Sequence, residues 1–154
     1  FAKYFDISKI TMVLTAEASG IALATICAQK YGVPMLFAKK AKSDNIEGGL
    51  YQSEVFSYTY KKKVTLLVSK EWIHPGDRVL VIDDFLARGE ALRGLCEIVQ
   101  AAGAELVGIG CAVEKGFQGG GDKLRKAGYN LHSLAIIDKM DAKTNTVVFR
   151  HEEA

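Results

Sequence analysis

Two aspartates stand next to each other in the middle of the chain, directly after a mostly apolar run. The run is residues 78–82, and the two carboxylates belong to Asp83 and Asp84. Such a run is typical of a central strand of a parallel sheet that is buried on both faces. Neighbouring side chains of an extended segment point to opposite sides, so we do not expect a dyad that shares a proton. The pair can instead accept hydrogen bonds from two vicinal hydroxyls, as on a ribose.

A glycine-bearing turn follows the carboxylates and leads into a predicted helix. Its residues, 87–91, present backbone N–H groups at a helix start, which is a natural phosphate site, and Gly89 allows close approach. Ligands of open α/β sheets bind at the carboxyl ends of the strands. A ribose with a 5′-phosphate is therefore the ligand that these features suggest. A solvated strand end followed by an ordinary helix cap is an equally open interpretation.

Short apolar runs rich in β-branched residues alternate with helical patterns along the chain. This alternation predicts an α/β fold with a mainly parallel, twisted sheet flanked by helices. The predicted strands are residues 10–15, 34–38, 54–60, 61–69, 78–82, 106–113, 131–137 and 146–149, and the predicted helices are residues 21–31, 92–102 and 123–127. The two strands within residues 54–69 are expected to form a flexible, hairpin-like excursion. The polar residues 39–52 are expected to form a long exposed loop.

The composition excludes several classes of function. The chain has 154 residues, which fits a single domain, and its net charge of +2 gives no reason to expect nucleic acid or a membrane as a partner. Its three cysteines form no CxxC pair, which argues against disulfides or a zinc site and favours a reduced, cytoplasmic setting. The longest apolar stretch, residues 10–28, is interrupted by Glu17 and Gly20 and is not a membrane span. The Walker and GxGxxG patterns of nucleotide-binding proteins are absent.

Residues 83–91, Asp-Asp-Phe-Leu-Ala-Arg-Gly-Glu-Ala, resemble the phosphoribosyl diphosphate (PRPP) signature of the type I phosphoribosyltransferases. This form is most similar to that of the bacterial xanthine phosphoribosyltransferases. Three more segments match in the same order: residues 15–22 resemble the family's diphosphate loop, residues 37–43 its basic segment, and residues 114–118 its base-recognition turn. The likeness extends over residues 10–149. It implies one phosphoribosyltransferase domain over residues 1–154, without a family segment upstream of Phe1 that helps to form the base pocket.

The resemblance implies a role in purine salvage. The family reaction would transfer the 5-phosphoribosyl group from PRPP to xanthine, giving xanthosine 5′-monophosphate and diphosphate through a transition state that resembles an oxocarbenium ion. Asp83 and Asp84 would be the catalytic residues, because their charge favours a cationic ribose. The implied PRPP-binding residues are Ser19, Gly20, Lys39, Lys40, Ala87, Arg88, Gly89, Glu90 and Ala91. Mg²⁺ is the implied cofactor, held mainly by PRPP and diphosphate oxygens, so no protein ligand is assigned to it.

Two further groups of residues have a second, ordinary interpretation. Lys39, Lys40 and Lys42 would bind diphosphate, reaching across the interface of a homodimer, but a charge cluster is often only a solvated face. Ser19 would bind the same group, or it would simply cap a helix.

A mobile flap that excludes water from bound PRPP is also implied. Tyr58, Tyr60 and residues 61–63 would belong to it.

Lys115 is the residue that we expect to select the base. Its ammonium can donate to an exocyclic carbonyl oxygen of an oxopurine, whereas adenine carries an amino group there. Phe117 would stack on the base, although a single Phe at a strand end more often belongs to a core. The open alternatives are a hypoxanthine-guanine or adenine phosphoribosyltransferase, and a PRPP-binding, purine-responsive transcriptional regulator without catalysis. Regulators of that kind lack a Glu-Lys-x-Phe-Gln turn.

Several residues depart from the xanthine phosphoribosyltransferase pattern. Arg88 and Glu90 stand where Asn and Gln are more usual, and a carboxylate beside a phosphate is unfavourable unless it points outward or pairs with Arg88 or Arg93. Glu17 is given no catalytic role and is interpreted as a structural acceptor. The three glycines 119–121 are interpreted as a source of flexibility.

Overall fold

The computed structural model describes residues 1–41, 49–57 and 61–150. The strands are β1 (Met12–Ala16), β2 (Met35–Ala41), β3 (Leu50–Ser57), β4 (Lys62–Ser69), β5 (Arg78–Leu86), β6 (Glu105–Lys115), β7 (Leu131–Asp141) and β8 (Thr146–Phe149). The α-helices are α1 (Gly20–Tyr31), α2 (Glu90–Ala101) and α3 (Gly120–Lys126), with 3₁₀ turns at Ile7–Lys9 and Gly116–Gln118. In this part of the chain, no helix has the length and apolar character needed to cross a membrane.

The strands form one sheet in the order β3-β4-β2-β1-β5-β6-β7-β8. The central strands β2, β1, β5, β6 and β7 run parallel, and the outer pairs are antiparallel. The predicted α/β fold with a mainly parallel sheet is confirmed. The strand that follows β1 in the chain, β2, lies next to β1 on the side away from β5, and β6, which follows β5, lies next to β5 on the side away from β1. The neighbouring strands β1 and β5 therefore form the switch point at which such sheets bind ligands.

Helices cover both faces of the central strands, because the side chains of β5 alternate between two apolar clusters. Val79 and Val81 pack in the cluster that includes α2, whereas Leu80 and Ile82 pack in the cluster that includes α1. All four side chains are fully buried. Burial on both faces explains why this run of the sequence is almost continuously apolar.

The predicted end of β5 at Ile82 is wrong. The strand continues through Leu86, and Asp83 pairs with Cys111 of β6 while Leu86 pairs with Glu114. The two aspartates therefore belong to the strand itself, and hydrogen bonding to β6 holds their backbone.

The predicted hairpin is confirmed, but the predicted loop of residues 39–52 is wrong at both ends. Strands β3 and β4 pair antiparallel from Leu50 opposite Ser69 to Ser57 opposite Lys62. Strand β2 continues through Ala41 because its last residues pair with β4. The sheet therefore satisfies the backbone groups of Lys39 and Lys40, although these residues have polar side chains. Residues 42–48 and 58–60, which include the predicted contributions of Lys42, Tyr58 and Tyr60, lie outside the described residues.

The packing of α2 gives a test of the fold. Leu95 is completely buried between α2 and the sheet, so we expect Leu95→Ala to lower the free energy of unfolding by about 3 kcal/mol. Ile26→Ala on α1 is the matched control because Ile26 is 64% exposed, and we expect a change within about 0.5 kcal/mol. Urea unfolding of both variants measures the difference. Equal losses in the two variants would contradict the packing described.

Candidate active site

A cleft of about 320 Å³ opens at the carboxyl ends of β1 and β5. It is bordered by most of the residues that the sequence predicts for the site: Ser19, Lys40, Asp83, Asp84, Ala87, Arg88, Gly89, Glu90, Ala91 and Lys115. Three predicted residues, Gly20, Lys39 and Phe117, do not border it. The structure thus brings together four segments that are far apart in the sequence.

The two carboxylates both border this cleft, although they are neighbours on one strand. Asp83 is only 8% exposed, and its Oδ1 accepts a hydrogen bond of 3.1 Å from the backbone N–H of Asp84. Asp84 is more open and accepts a hydrogen bond of 3.0 Å from the hydroxyl of Ser19. The expected opposite orientation of the two side chains therefore does not keep either carboxylate out of the cleft.

The electrostatics of Asp83 are unusual for an aspartate. Burial, followed by the charge of Asp84, raises its pKa from the ordinary value of 3.8 to about 7, against the opposing effects of the backbone N–H of Asp84 and of the Lys40 ammonium. The cleft therefore holds a carboxylate that a cationic group would stabilise strongly.

The predicted phosphate turn, residues 87–91, follows β5 and leads into a helix, as the sequence indicates. Helix α2 begins at Glu90, and Gly89 before it has a φ of +83°, a conformation that favours glycine. No side chain caps this helix end within the described part of the chain. Its first N–H groups therefore remain suitable for an anionic ligand.

The start of α1 lies directly against the carboxylates. The Ser19 hydroxyl does not cap α1 but donates to Asp84, so the ordinary interpretation of Ser19 as a side-chain cap is wrong. Gly20 is buried, and a Cβ there would be 2.3 Å from the Thr15 hydroxyl and 3.1 Å from Asp83 Oδ1. A side chain here would collide with Thr15, so glycine is what allows the start of α1 to pack on β1 beside Asp83.

The lysines of β2 differ in position. Lys40 borders the cleft, and its backbone N–H donates to Glu17 Oε1 at 2.6 Å, which agrees with the interpretation of Glu17 as a structural acceptor. Lys39 is exposed and does not border the cleft of its own chain.

At the opposite end of the cleft, a lysine and an aromatic ring lie together. The Lys115 ammonium is 4.8 Å from the ring centroid of Phe85, and both residues border the cleft. Phe117 lies in the 3₁₀ turn after β6, is 50% exposed and does not border the cleft. Phe85, and not Phe117, is therefore the aromatic residue beside Lys115 that borders the cleft.

Comparison with known proteins agrees with this arrangement. A family model described as phosphoribosyl transferase domain matches residues 2–153. The chain belongs to this family. The xanthine phosphoribosyltransferase of Bifidobacterium animalis subsp. lactis is 53% identical over 152 residues, which are 98% of this chain and 79% of that protein. The xanthine phosphoribosyltransferase of Lachnoclostridium phytofermentans is 52% identical over 153 residues, which are 99% of this chain and 79% of that protein.

Solved phosphoribosyltransferase structures share the fold. The adenine phosphoribosyltransferase of Thermoanaerobacter pseudethanolicus has a TM-score of 0.71 at 26% identity, over 83% of this chain and 70% of that one. The Giardia lamblia enzyme in complex with 9-deazaadenine has a TM-score of 0.72 at 29% identity, over 82% of this chain and 69% of that one. The predicted type I phosphoribosyltransferase fold is confirmed.

The unusual Glu90 of this phosphoribosyltransferase has a partner. Its Oε2 lies 3.2 Å from Nη2 of Arg93, which also contacts Glu97 and donates to the backbone oxygen of Glu54 at 3.1 Å. Of the arrangements that the sequence left open, the structure contains the pair with Arg93. This arginine also joins the helix start to the β3–β4 hairpin.

Some residues of the cleft are not found by sequence reasoning. Phe85 was missed because β5 was predicted to end before it, and side-chain alternation extended by a few residues would have included it. Val55, Phe56 and Val64 of the hairpin also border the cleft. No local pattern marks them, since long-range contacts, the pairing of β4 with β2 and the bond from Arg93 to Glu54, bring the hairpin there.

The interpretation of residues 119–121 as flexible is wrong at Gly120 and Gly121. A Cβ on Gly120 would be 2.4 Å from the carbonyl oxygen of Ala87, to which the Gly120 N–H donates at 3.2 Å. A Cβ on Gly121 would be 2.0 Å from Oε1 of Glu114. These glycines allow α3 to pack directly on the phosphate turn and on β6.

The raised pKa of Asp83 predicts a pH-dependent stability. The neutral carboxyl is favoured in the fold, so its contribution is complete below the ordinary pKa of 3.8 and is lost as the pH rises through about 7. We therefore expect Asp83→Asn to stabilise the ligand-free protein at pH 8, by at most about 4 kcal/mol, and to have little effect at pH 4. Thermal unfolding of both proteins across this pH range measures the effect. A difference that does not change with pH would contradict it.

Proposed function

We propose that this protein is a cytoplasmic purine-salvage enzyme that transfers the 5-phosphoribosyl group from PRPP to xanthine, giving xanthosine 5′-monophosphate and diphosphate. The observation that carries the proposal is that one cleft joins the carboxylate pair, the phosphate turn and Lys115. The relatives at 52–53% identity, which bear the name xanthine phosphoribosyltransferase, support this choice of base.

The catalytic chemistry follows from charge. Breaking the bond between ribose and diphosphate leaves positive charge on the ribose, which the carboxylates of Asp83 and Asp84 stabilise. The turn Ala87, Arg88, Gly89, Glu90 and Ala91 binds the 5′-phosphate through backbone N–H groups.

The departing diphosphate needs positive groups at the other side of the ribose. Ser19 and Lys40, which border the cleft, receive it, and the backbone N–H of the buried Gly20 adds positive partial charge at the start of α1. No covalent nucleophile is required for this displacement. Lys39, which is exposed and does not border its own cleft, is the lysine that would reach the site of a second chain in a homodimer.

The donor set of the cleft fits Mg²⁺ that is bound together with substrate. Within the described ranges, no group of three or more His, Cys, Asp or Glu side chains could hold a metal ion by itself. Two carboxylates nevertheless border the cleft, and Mg²⁺ commonly combines one or two carboxylates with substrate oxygens and water. Asp83 and Asp84 would therefore hold the ion with PRPP, and when bound it neutralises charge on the diphosphate.

The choice of base rests on the Lys115 ammonium. Xanthine presents carbonyl oxygens that accept a hydrogen bond from it, whereas the exocyclic amino group of adenine is a donor. The solved structures quoted above are adenine enzymes, but at 26–29% identity they are more distant than the xanthine enzymes. No observation favours a non-catalytic regulator.

The experiment that tests this proposal incubates the protein with PRPP, Mg²⁺ and each purine base separately. We expect nucleotide from xanthine, and Lys115→Ala should raise the KM for xanthine by roughly tenfold or more, because a charge-assisted hydrogen bond is lost. Lys123→Ala, which removes an exposed lysine of α3, should leave this KM unchanged. Nucleotide from adenine alone would contradict the role of Lys115, and PRPP binding without any nucleotide would indicate the regulator.

The Glu90–Arg93 pair leads to a separate prediction. Glu90→Gln removes a negative charge that borders the phosphate turn, so we expect the KM for PRPP to fall by about threefold. Glu97→Gln is the matched control, because Glu97 also pairs with Arg93 but does not border the cleft. Steady-state kinetics at fixed xanthine measures both. A rise of the KM for PRPP in Glu90→Gln would show that this carboxylate assists binding.

A further inference from the structure

Glu114 is a buried carboxylate that the mechanism above does not use. It immediately precedes Lys115 in β6 and is completely buried. Its Oε1 accepts a hydrogen bond of 3.1 Å from Nη1 of Arg125, and its Oε2 accepts one of 2.6 Å from Nη2 of the same side chain. The hydroxyl of Ser133 donates to Oε2 at 2.6 Å. One carboxylate thus joins β6, α3 and β7.

The packing around Glu114 leaves it no freedom to move. Helix α3 lies directly on the carboxylate, because a Cβ on Gly121 would be 2.0 Å from Oε1 and 2.3 Å from Cδ. An arginine that donates two parallel hydrogen bonds also fixes the direction of the carboxylate, which a single point charge would not do.

Stability alone is a poor explanation for this ion pair. Apolar residues of similar volume often stabilise a protein as much as a buried ion pair does, because both charges lose their hydration. What the pair supplies is a defined geometry at the end of β6. There the chain passes from Glu114 to Lys115 and into the 3₁₀ turn Gly116–Gln118.

Lys115 is the residue that depends on this geometry. Neighbouring side chains of a strand point to opposite sides, so holding Glu114 on the α3 side directs Lys115 toward the cleft. There its ammonium lies 4.8 Å from the ring centroid of Phe85. A small rotation of the strand end would move the ammonium away from a bound base.

We propose that Glu114, held by Arg125 and Ser133, is a positioning residue for base recognition, and that it acts through Lys115. The inference rests on the proposed function, since it concerns the base end of the same cleft. It predicts a selective effect. Disturbing the Glu114 carboxylate weakens binding of the purine. Binding of PRPP, which is held by β5, α1 and α2, is unchanged.

The test compares Glu114→Gln, Arg125→Lys and the milder Ser133→Ala in steady-state kinetics of the intact protein. We expect Glu114→Gln and Arg125→Lys to raise the KM for xanthine roughly tenfold, while the KM for PRPP changes by less than about twofold. Arg125→Lys keeps the charge and loses the paired geometry, so a normal KM for xanthine in this variant would overturn the proposal. Ser133→Ala removes one hydrogen bond, and we expect a rise of about threefold.

A matched control separates positioning from a general loss of stability. Asp77 accepts hydrogen bonds from the His74 backbone N–H at 2.7 Å and from the Thr11 hydroxyl at 3.3 Å, and it lies at the amino end of β5, whereas Glu114 lies near the carboxyl end of β6. Asp77→Asn should lower the melting temperature without changing the KM for xanthine. An equal rise of both KM values in the Glu114 variant, or the same rise in Asp77→Asn, would overturn the proposal.

A measurement without catalysis distinguishes failure of this inference from failure of the proposed function. Hydrogen exchange of ligand-free Glu114→Gln should be faster than in the wild type at residues 114–119, and unchanged around the phosphate turn at residues 87–91. Unchanged exchange at residues 114–119 would overturn the positioning role. Wild-type protein that makes no nucleotide from xanthine would overturn the proposed function, whatever the exchange result.

Discussion

The parallel pairing of β1 with β5 is the constraint on which the cleft depends. Val13 lies opposite Leu80 and Leu14 opposite Val81, so β1 ends beside the aspartates of β5. After β1 the chain continues toward β2, and after β5 it continues toward β6, which lies on the opposite side of the β1–β5 pair. A crevice results, and the starts of α1 and α2 face it from either side. Two helix starts and two carboxylates therefore face one crevice.

This crevice contains a carboxylate that is unfavourable for the ligand-free fold. Asp83 is nearly buried beside a second carboxylate, and its raised pKa reflects that cost. Lys40 offsets part of it, and the hydroxyl of Ser19 supports the more open Asp84. Conflicts of this kind are common at functional sites, where stability is lower than the same fold could provide. In the proposed reaction, positive charge on the ribose would remove the conflict at the moment of bond cleavage.

Close packing of α3 joins the turn after β5 to the end of β6. Gly120 lies on the carbonyl of Ala87 in the phosphate turn, and Gly121 lies on the carboxylate of Glu114 next to Lys115. A short helix thus contacts both the phosphate turn and the strand end that carries Lys115. Small residues serve here to bring backbones together, at Gly120 against the turn and at Gly121 against β6.

The local sequence determined the features of the fold and of the cleft that depend on a single segment of the chain. The apolar run before Asp83, the glycine in the turn at Gly89 and the alternation of strands and helices were sufficient to predict the α/β fold, the carboxylate pair in the cleft and the glycine-bearing turn that follows it. The pattern of four matched segments also predicted the family. Tertiary structure alone decided that Phe85, rather than Phe117, borders the cleft, that Lys40 borders it and Lys39 does not, and that Glu90 pairs with Arg93. It also decided that the glycines of α3 pack tightly on other segments. The reason is physical: periodicity reports whether a side chain is buried or exposed, whereas its partners are set by strand register and helix contacts between segments distant in the chain.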